Sequence, residues 1–142
     1  MIHALEEILD AFVRPDNPLT VQQVTKALGD ALTNSNPIPR KRAVGLLASV
    51  FDRVPDLPLI ESDVESMLSY MILRLADWHC IEAAVRSMCS IITHYHVLVS
   101  NIQVAGSSGA MEPIVCKVFT AVVKHVHGPS YAQSLRLAVL QL

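Results

Sequence analysis

At 142 residues, 51% of them hydrophobic and only 17% charged, the chain is long enough to bury a core and too apolar to stay disordered. A formal net charge of −2 gives no electrostatic case for nucleic acid or for an anionic membrane surface, and charges interrupt every apolar run before the roughly 18 residues that a membrane span requires. Cys80, Cys89 and Cys116 are odd in number and scattered, which fits free thiols in a reducing compartment.

The start, MIHALEEILDAF, is acidic and amphipathic, unlike a secretory leader. It predicts a first helix from Ile2 to about Arg14, ended by Pro15 and Pro18. The next stretch, Thr20 to Val54, predicts two helices joined by a proline turn. Val21, Val24, Leu28, Ala31 and Leu32 share one face of the first of these; Ala43, Leu46, Leu47, Val50, Phe51 and Val54 share one face of the other. Thr20 and Gln23 have the spacing of a capping box, and Pro39 suits a helix first turn, where a missing amide hydrogen costs nothing. In the loop VPDLPLI, Leu57, Leu59 and Ile60 are expected to tuck under neighbouring helices. Ser62 and Glu65 suggest a second capping box, opening a helix from about Asp63 to Leu75. A helix from about Cys80 to Thr93 follows, with Ile81, Ala84, Val85, Met88, Ile91 and Ile92 on its apolar face.

Residues 97–111 carry Gly106, Ser107, Ser108 and Gly109 and read as an exposed Gly/Ser loop. A sixth helix starts near Glu112-Pro113 and places Ile114, Val115, Val118, Phe119, Val122 and Val126 on its apolar face. Gly128-Pro129 stops it. Ser130 and Gln133 suggest a third capping box for a seventh helix, which reaches Leu142 without a cap or a polar face. Strand signals are nearly absent.

The expected fold is therefore all-α: a single α-solenoid of HEAT-like antiparallel helix pairs over residues 1–142, about seven helices, open at its C-terminal end. An uncapped solenoid end exposes core, so the chain is expected to be a piece of a longer solenoid and to self-associate through that end.

The residues Ala27-Leu28-Gly29, then Leu32, Asn36, Pro37, Arg40, Arg42, Gly45 and Leu47, then Glu61, Val64 and Leu68, and finally Arg74-Leu75-Ala76-Asp77 with His79, resemble the N-terminal segment of the MMS nucleotide excision repair protein family. The resemblance covers Val24 to His79 and extends in pattern to Val115–Phe119. It implies a HEAT-repeat adaptor of the cytosolic iron–sulfur assembly targeting complex, working in cytoplasm and nucleus. The implied partners are other proteins: assembly components, and client apoproteins of DNA replication and repair. It also implies that the adaptor holds no cluster itself, and that the assembly machinery docks toward a far C-terminus absent from this chain. A generic HEAT or armadillo module, in nuclear transport or a phosphatase scaffold, is the alternative.

The residues suggest no cofactor, metal or catalytic site. His94-Tyr95-His96 and His125-Val126-His127 place histidines two apart, about 200° around a helix, which is poor chelation geometry. The cysteines match no C-x-x-C ligand pattern and read as structural thiols within apolar helices. No nucleophile elbow, phosphate loop or His-Glu zinc helix occurs, which argues against an enzyme. The candidate protein-interaction surface is Arg40, Lys41, Arg42 and Trp78. The three cations oppose the dipole at a helix start, yet a lone run of this kind is most simply a solvated face, and no direct contact with nucleic acid is expected. Trp78 reads first as a core anchor beneath an interhelical turn and second as an exposed binding anchor.

Overall fold

The computed structural model describes residues 6–126 except 9, 12, 13, 17, 18 and 107, and not the side chain of Val126. The seventh helix, its Ser130–Gln133 capping box, His127 and the uncapped end all lie outside the described residues, as does much of the first helix. Residues 6–8, 10 and 11 are helical. Ile8 packs on the core, and Glu6 pairs with Arg53 at 2.8 Å.

Two of the expected helix pairs form. Helix α1 is Val21–Leu32 and α2 is Pro37–Arg53; α3 is Glu61–Arg74 and α4 is Ile81–His94. The Thr20–Gln23 capping box is present, with the Gln23 amide donating to Thr20 Oγ1 at 3.2 Å and the Thr20 amide donating to Gln23 Oε1 at 2.8 Å. Helix α2 starts with Pro37 in its first turn, and Asn36 Oδ1 accepts from the Ile38 amide at 3.0 Å. The second capping box is displaced from its expected place: α3 begins after Ile60, and Asp63 Oδ2 accepts the Ile60 amide at 3.2 Å. Isoleucine has no side-chain acceptor, so only half of a box exists there.

Helices α2 and α4 make the most extensive contact and form an inner layer, with α1 and α3 against them. The core between the layers is closed by Val44, Leu47, Val50 and Phe51 from α2, Val64, Leu68 and Met71 from α3, and Ile81, Val85, Met88 and Ile91 from α4. The arrangement is an all-α, solenoid-like stack of helix pairs.

Its register can be read from polar contacts. Tyr70 Oη donates to Leu32 O (2.9 Å) across 38 residues, Tyr95 Oη to Leu57 O (3.1 Å) across 38, and Arg40 Nε to Asp77 Oδ2 (2.5 Å) across 37. Ser90 hydroxyl meets the Asp52 carboxylate across 38 residues, and Gln22 Nε2 donates to Asp63 Oδ2 (2.8 Å) across 41. Five contacts at nearly one separation mark one repeat length, on which equivalent positions of successive pairs are brought together.

Several expectations are corrected. Residues 97–111 are not one exposed loop. They contain α5 (His96–Asn101), β1 (Gln103–Ala105) and the start of β2 (Met111–Pro113), with Val104 paired to Glu112 in antiparallel register. Val99, Ile102 and Val104 are buried, because apolar residues interrupt the polar run at positions where this segment crosses the core. Loop character is found at the turn where the Gly106 amide donates to Ala110 O at 2.8 Å, and Gly109 takes φ +79° there, a conformation that favours glycine. Ile60 does not tuck in; it is 62% exposed, whereas Leu57 and Leu59 are buried. On α6 (Ile114–Val126) the buried face is Ile114, Val118 and Val122, while Phe119 is 69% exposed and Val115 is also exposed. The six apolar residues expected on one face span more arc than a single helix contact covers. Among the described residues no helix is long and apolar enough to cross a membrane.

Leu47 sits 1% exposed where the two pairs meet. Leu47→Asp buries an uncompensated charge there and is expected to remove several kcal/mol, comparable to the whole stability of a small domain. A thermal melt by circular dichroism should show the loss.

Candidate protein-interaction surface

The α1–α2 turn and the α3–α4 turn lie on the same end of the stack, and Arg40 joins them. Within the first turn, Asn34 Oδ1 accepts the Asn36 amide at 2.8 Å. This leaves the carbonyls of Asn34 and Ser35 pointing at Arg40, whose Nη1 donates to them at 2.5 and 3.2 Å. Arg40 Nε donates to Asp77 at 2.5 Å, and the two side chains are only 15% and 11% exposed. The expectation of a solvated Arg40-Lys41-Arg42 face therefore fails for Arg40. Its guanidinium is consumed by the turn-to-turn contact, while Lys41 and Arg42 are exposed and form no ion pair among the described residues.

Asp77 is the hub of the second turn. Its amide donates to Arg74 O at 3.0 Å, and its carbonyl accepts the Cys80 amide at 2.8 Å. Oδ1 takes the His79 amide at 3.2 Å and faces His79 Nδ1 at 3.4 Å. Burial pushes the Asp77 carboxyl upward, but hydrogen bonds from Arg40, the Cys80 thiol and the His79 amide outweigh it and hold the group at about 2. The same burial, with Asp77 beside it, pushes the Cys80 thiol up. Cys80 is thus a fully buried, protonated donor, the opposite of a metal ligand. Cys89 is half-buried, and Cys116 is exposed despite its apolar helix, which corrects the reading of Cys116 as a packed structural thiol.

With Asp77 and Cys80 directed inward, Trp78 is left outside. It is 71% exposed and overlaps the His79 ring at 3.6 Å between centroids, tilted by 32°. The core-anchor reading of Trp78 is therefore wrong, and the exposed reading is the structural one. Beside it, the Arg74 guanidinium lies 5.3 Å from the centre of the Tyr70 ring, and Arg74 Nε is buried with no partner. Burial raises the Tyr70 hydroxyl, so it stays a donor to Leu32 O.

Tyr70, Asp77 and Cys80 were missed as members of this cluster. The signal for Asp77 and Tyr70 was a polar or aromatic residue one repeat length from a turn; for Cys80 there was none. Of the histidine pairs, His94 and His96 are exposed on either side of buried Tyr95.

The comparisons with known proteins bear on the same residues. The family described as Dos2-interacting transcription regulator of RNA-Pol-II, the MMS19 N-terminal family, matches residues 25–142. The chain belongs to this family. Arg40, Asp77 and Trp78 all fall inside the matched span. A curated relative, the MMS19 nucleotide excision repair protein homolog of Dictyostelium discoideum, is 29% identical over 126 residues, which is 89% of this chain and 10% of the relative. The chain thus spans about a tenth of the length of the relative it matches. No solved structure matches it. The MMS19-family resemblance read from the ALG, N-P-R-R and RL-D-H residues is confirmed, and the structure adds what two of those residues do: the Arg and the Asp join successive helix pairs.

Because the folded-state pKa of Asp77 lies below its unfolded value of 3.8, its contribution is fully present above that value and disappears as pH falls toward about 2. Asp77→Asn should lower stability at pH 7 by on the order of 1 kcal/mol after solvent screening. The gap between the two proteins should close between about pH 4 and pH 2. Urea melts across that range check both statements.

Proposed function

We propose that this chain is part of a non-enzymatic HEAT-repeat adaptor that recruits apoproteins of DNA replication and repair to the cytosolic iron–sulfur cluster assembly machinery, acting in cytoplasm and nucleus. The observation that carries the reading is the family match across residues 25–142, supported by a relative named for nucleotide excision repair. The family's description as Dos2-interacting supports a protein-binding role. Stacked helix pairs offer long faces and exposed turns on which partners dock without any chemistry being done. The sequence carries none of the nucleophile or phosphate-binding patterns an enzyme of the common classes would need.

On this reading the interaction surface is the turn-bearing end of the stack, with Trp78 as its apolar anchor and Lys41 and Arg42 as its charges. An exposed tryptophan on a turn pinned by Arg40 and Asp77 is a preorganised anchor, and tryptophan is the residue type most enriched among those that dominate interface energies.

Affinity purification with the full-length parent chain tests the reading. Iron–sulfur assembly components and client apoproteins should be recovered, and Trp78→Ala should reduce client recovery without lowering the melting temperature. Recovery of a transport GTPase or a phosphatase subunit instead would identify the chain as a generic solenoid module and defeat the proposal.

A further inference from the structure

Leu28 and Ala31 of α1 and Leu46 of α2 belong to apolar faces that the sequence assigns to the core, yet all three are only half-buried. They line an open groove of about 270 Å³ between α1 and α2, together with Ile38, Pro39, Ala43 and Arg42. Its volume falls below the roughly 300–1,000 Å³ of a small-molecule pocket. It suits one or two large side chains presented by another backbone. Ile38, 59% exposed on its rim, extends the apolar surface.

The charge lining this groove, among the described residues, is positive. Among the described residues that line it, Arg42 is the charged one. Lys41 is exposed beside it, and α2 carries no acidic residue in its first turn, so two cations face the positive end of a helix dipole without compensation. Asp77 lies close by in the fold, but its carboxylate is taken by Arg40 and the amide of His79. Nor is the helix start a backbone site for a small anion. Pro37 and Pro39 have no amide hydrogen, and the Ile38 amide is already bound to Asn36. Anion recognition here must come from the Arg42 and Lys41 side chains, next to an apolar trough.

We propose that the groove between α1 and α2 takes a short acidic, amphipathic segment of a partner protein. Its apolar side chains enter between Leu28, Ala31 and Leu46, and its carboxylates pair with Arg42 and Lys41. This is the helix-in-groove mode, with apolar residues at three-and-four spacing supplying contact and the acidic flank setting orientation. The inference does not depend on the iron–sulfur reading, because it uses only the groove and its charges.

The test uses the 142-residue chain and three fluorescein-labelled synthetic peptides: one with leucine at helical spacing and glutamate elsewhere, one with lysine replacing glutamate, and one with serine replacing leucine. Fluorescence anisotropy should show saturable binding of the first alone, weakening with added salt. Arg42→Glu should weaken it by about tenfold or more and Arg42→Lys by less. Ala31→Phe, which fills the trough, should also weaken it. Lys124→Glu, at an exposed site on α6, should leave it unchanged. Methyl NMR of the unsubstituted chain supplies a second readout that does not depend on any variant folding: the peptide should shift Leu28, Ile38 and Leu46. Equal binding of the lysine or serine peptide, no saturable binding, shifts confined to other methyls, or occupation of the groove by a second copy of the chain at high concentration would each overturn the proposal.

Discussion

The Arg40 guanidinium meets the Asp77 carboxylate across one repeat length, and the stacking of the two helix pairs depends on that meeting. Both groups are largely withdrawn from water, so removing one leaves the other less well compensated. The contact also has only one geometry. Arg40 is held from the other side by the Asn34 and Ser35 carbonyls, and Asp77 by the His79 amide. A slip of α3–α4 against α1–α2 would leave a charged pair half-made in a site with little solvent. Hydrophobic packing between α2 and α4 supplies most of the attraction, but it is non-directional. The polar contacts at 37, 38 and 41 residues turn that attraction into a defined register.

This arrangement has a consequence for what the turn presents. A short interhelical turn has few side chains, and its inward positions are used for register: Asp77 for Arg40, Cys80 for the carboxylate. Trp78 lies between them in sequence and has no inward position left. Its exposure follows from the constraint that aligns the repeats, so the same contact that stabilises the stack also keeps the indole at the surface.

Two apolar faces stay partly open among the described residues. Leu28, Ala31 and Leu46 are half-buried around a groove, and Phe119 stands exposed on α6. Between them the core is closed, with Val44, Val64, Leu68, Met88 and Ile114 fully shielded. In a solenoid each pair contacts only its neighbours, so the residues of a helix that lie off those contacts stay open to solvent.

The sequence by itself determined helices α1 to α4 and α6, their approximate ends, most of the described core and the family. These depend on local physics: three-and-four spacing of apolar residues, proline at breaks, and a capping box at Thr20 whose two partners are three residues apart. Where the relevant neighbour is distant, only the tertiary structure decided. Arg40 looked solvated because its partner is 37 residues away. Trp78 looked buried because average burial says nothing about which positions of a turn are already taken. Phe119 and Ile60 looked like core because hydrophobicity records a preference for burial, not whether a covering surface exists. The short strands at 103–105 and 111–113 were hidden for a related reason: three residues are too few to show an alternating pattern, and their pairing is set by α5 and α6 bringing them together.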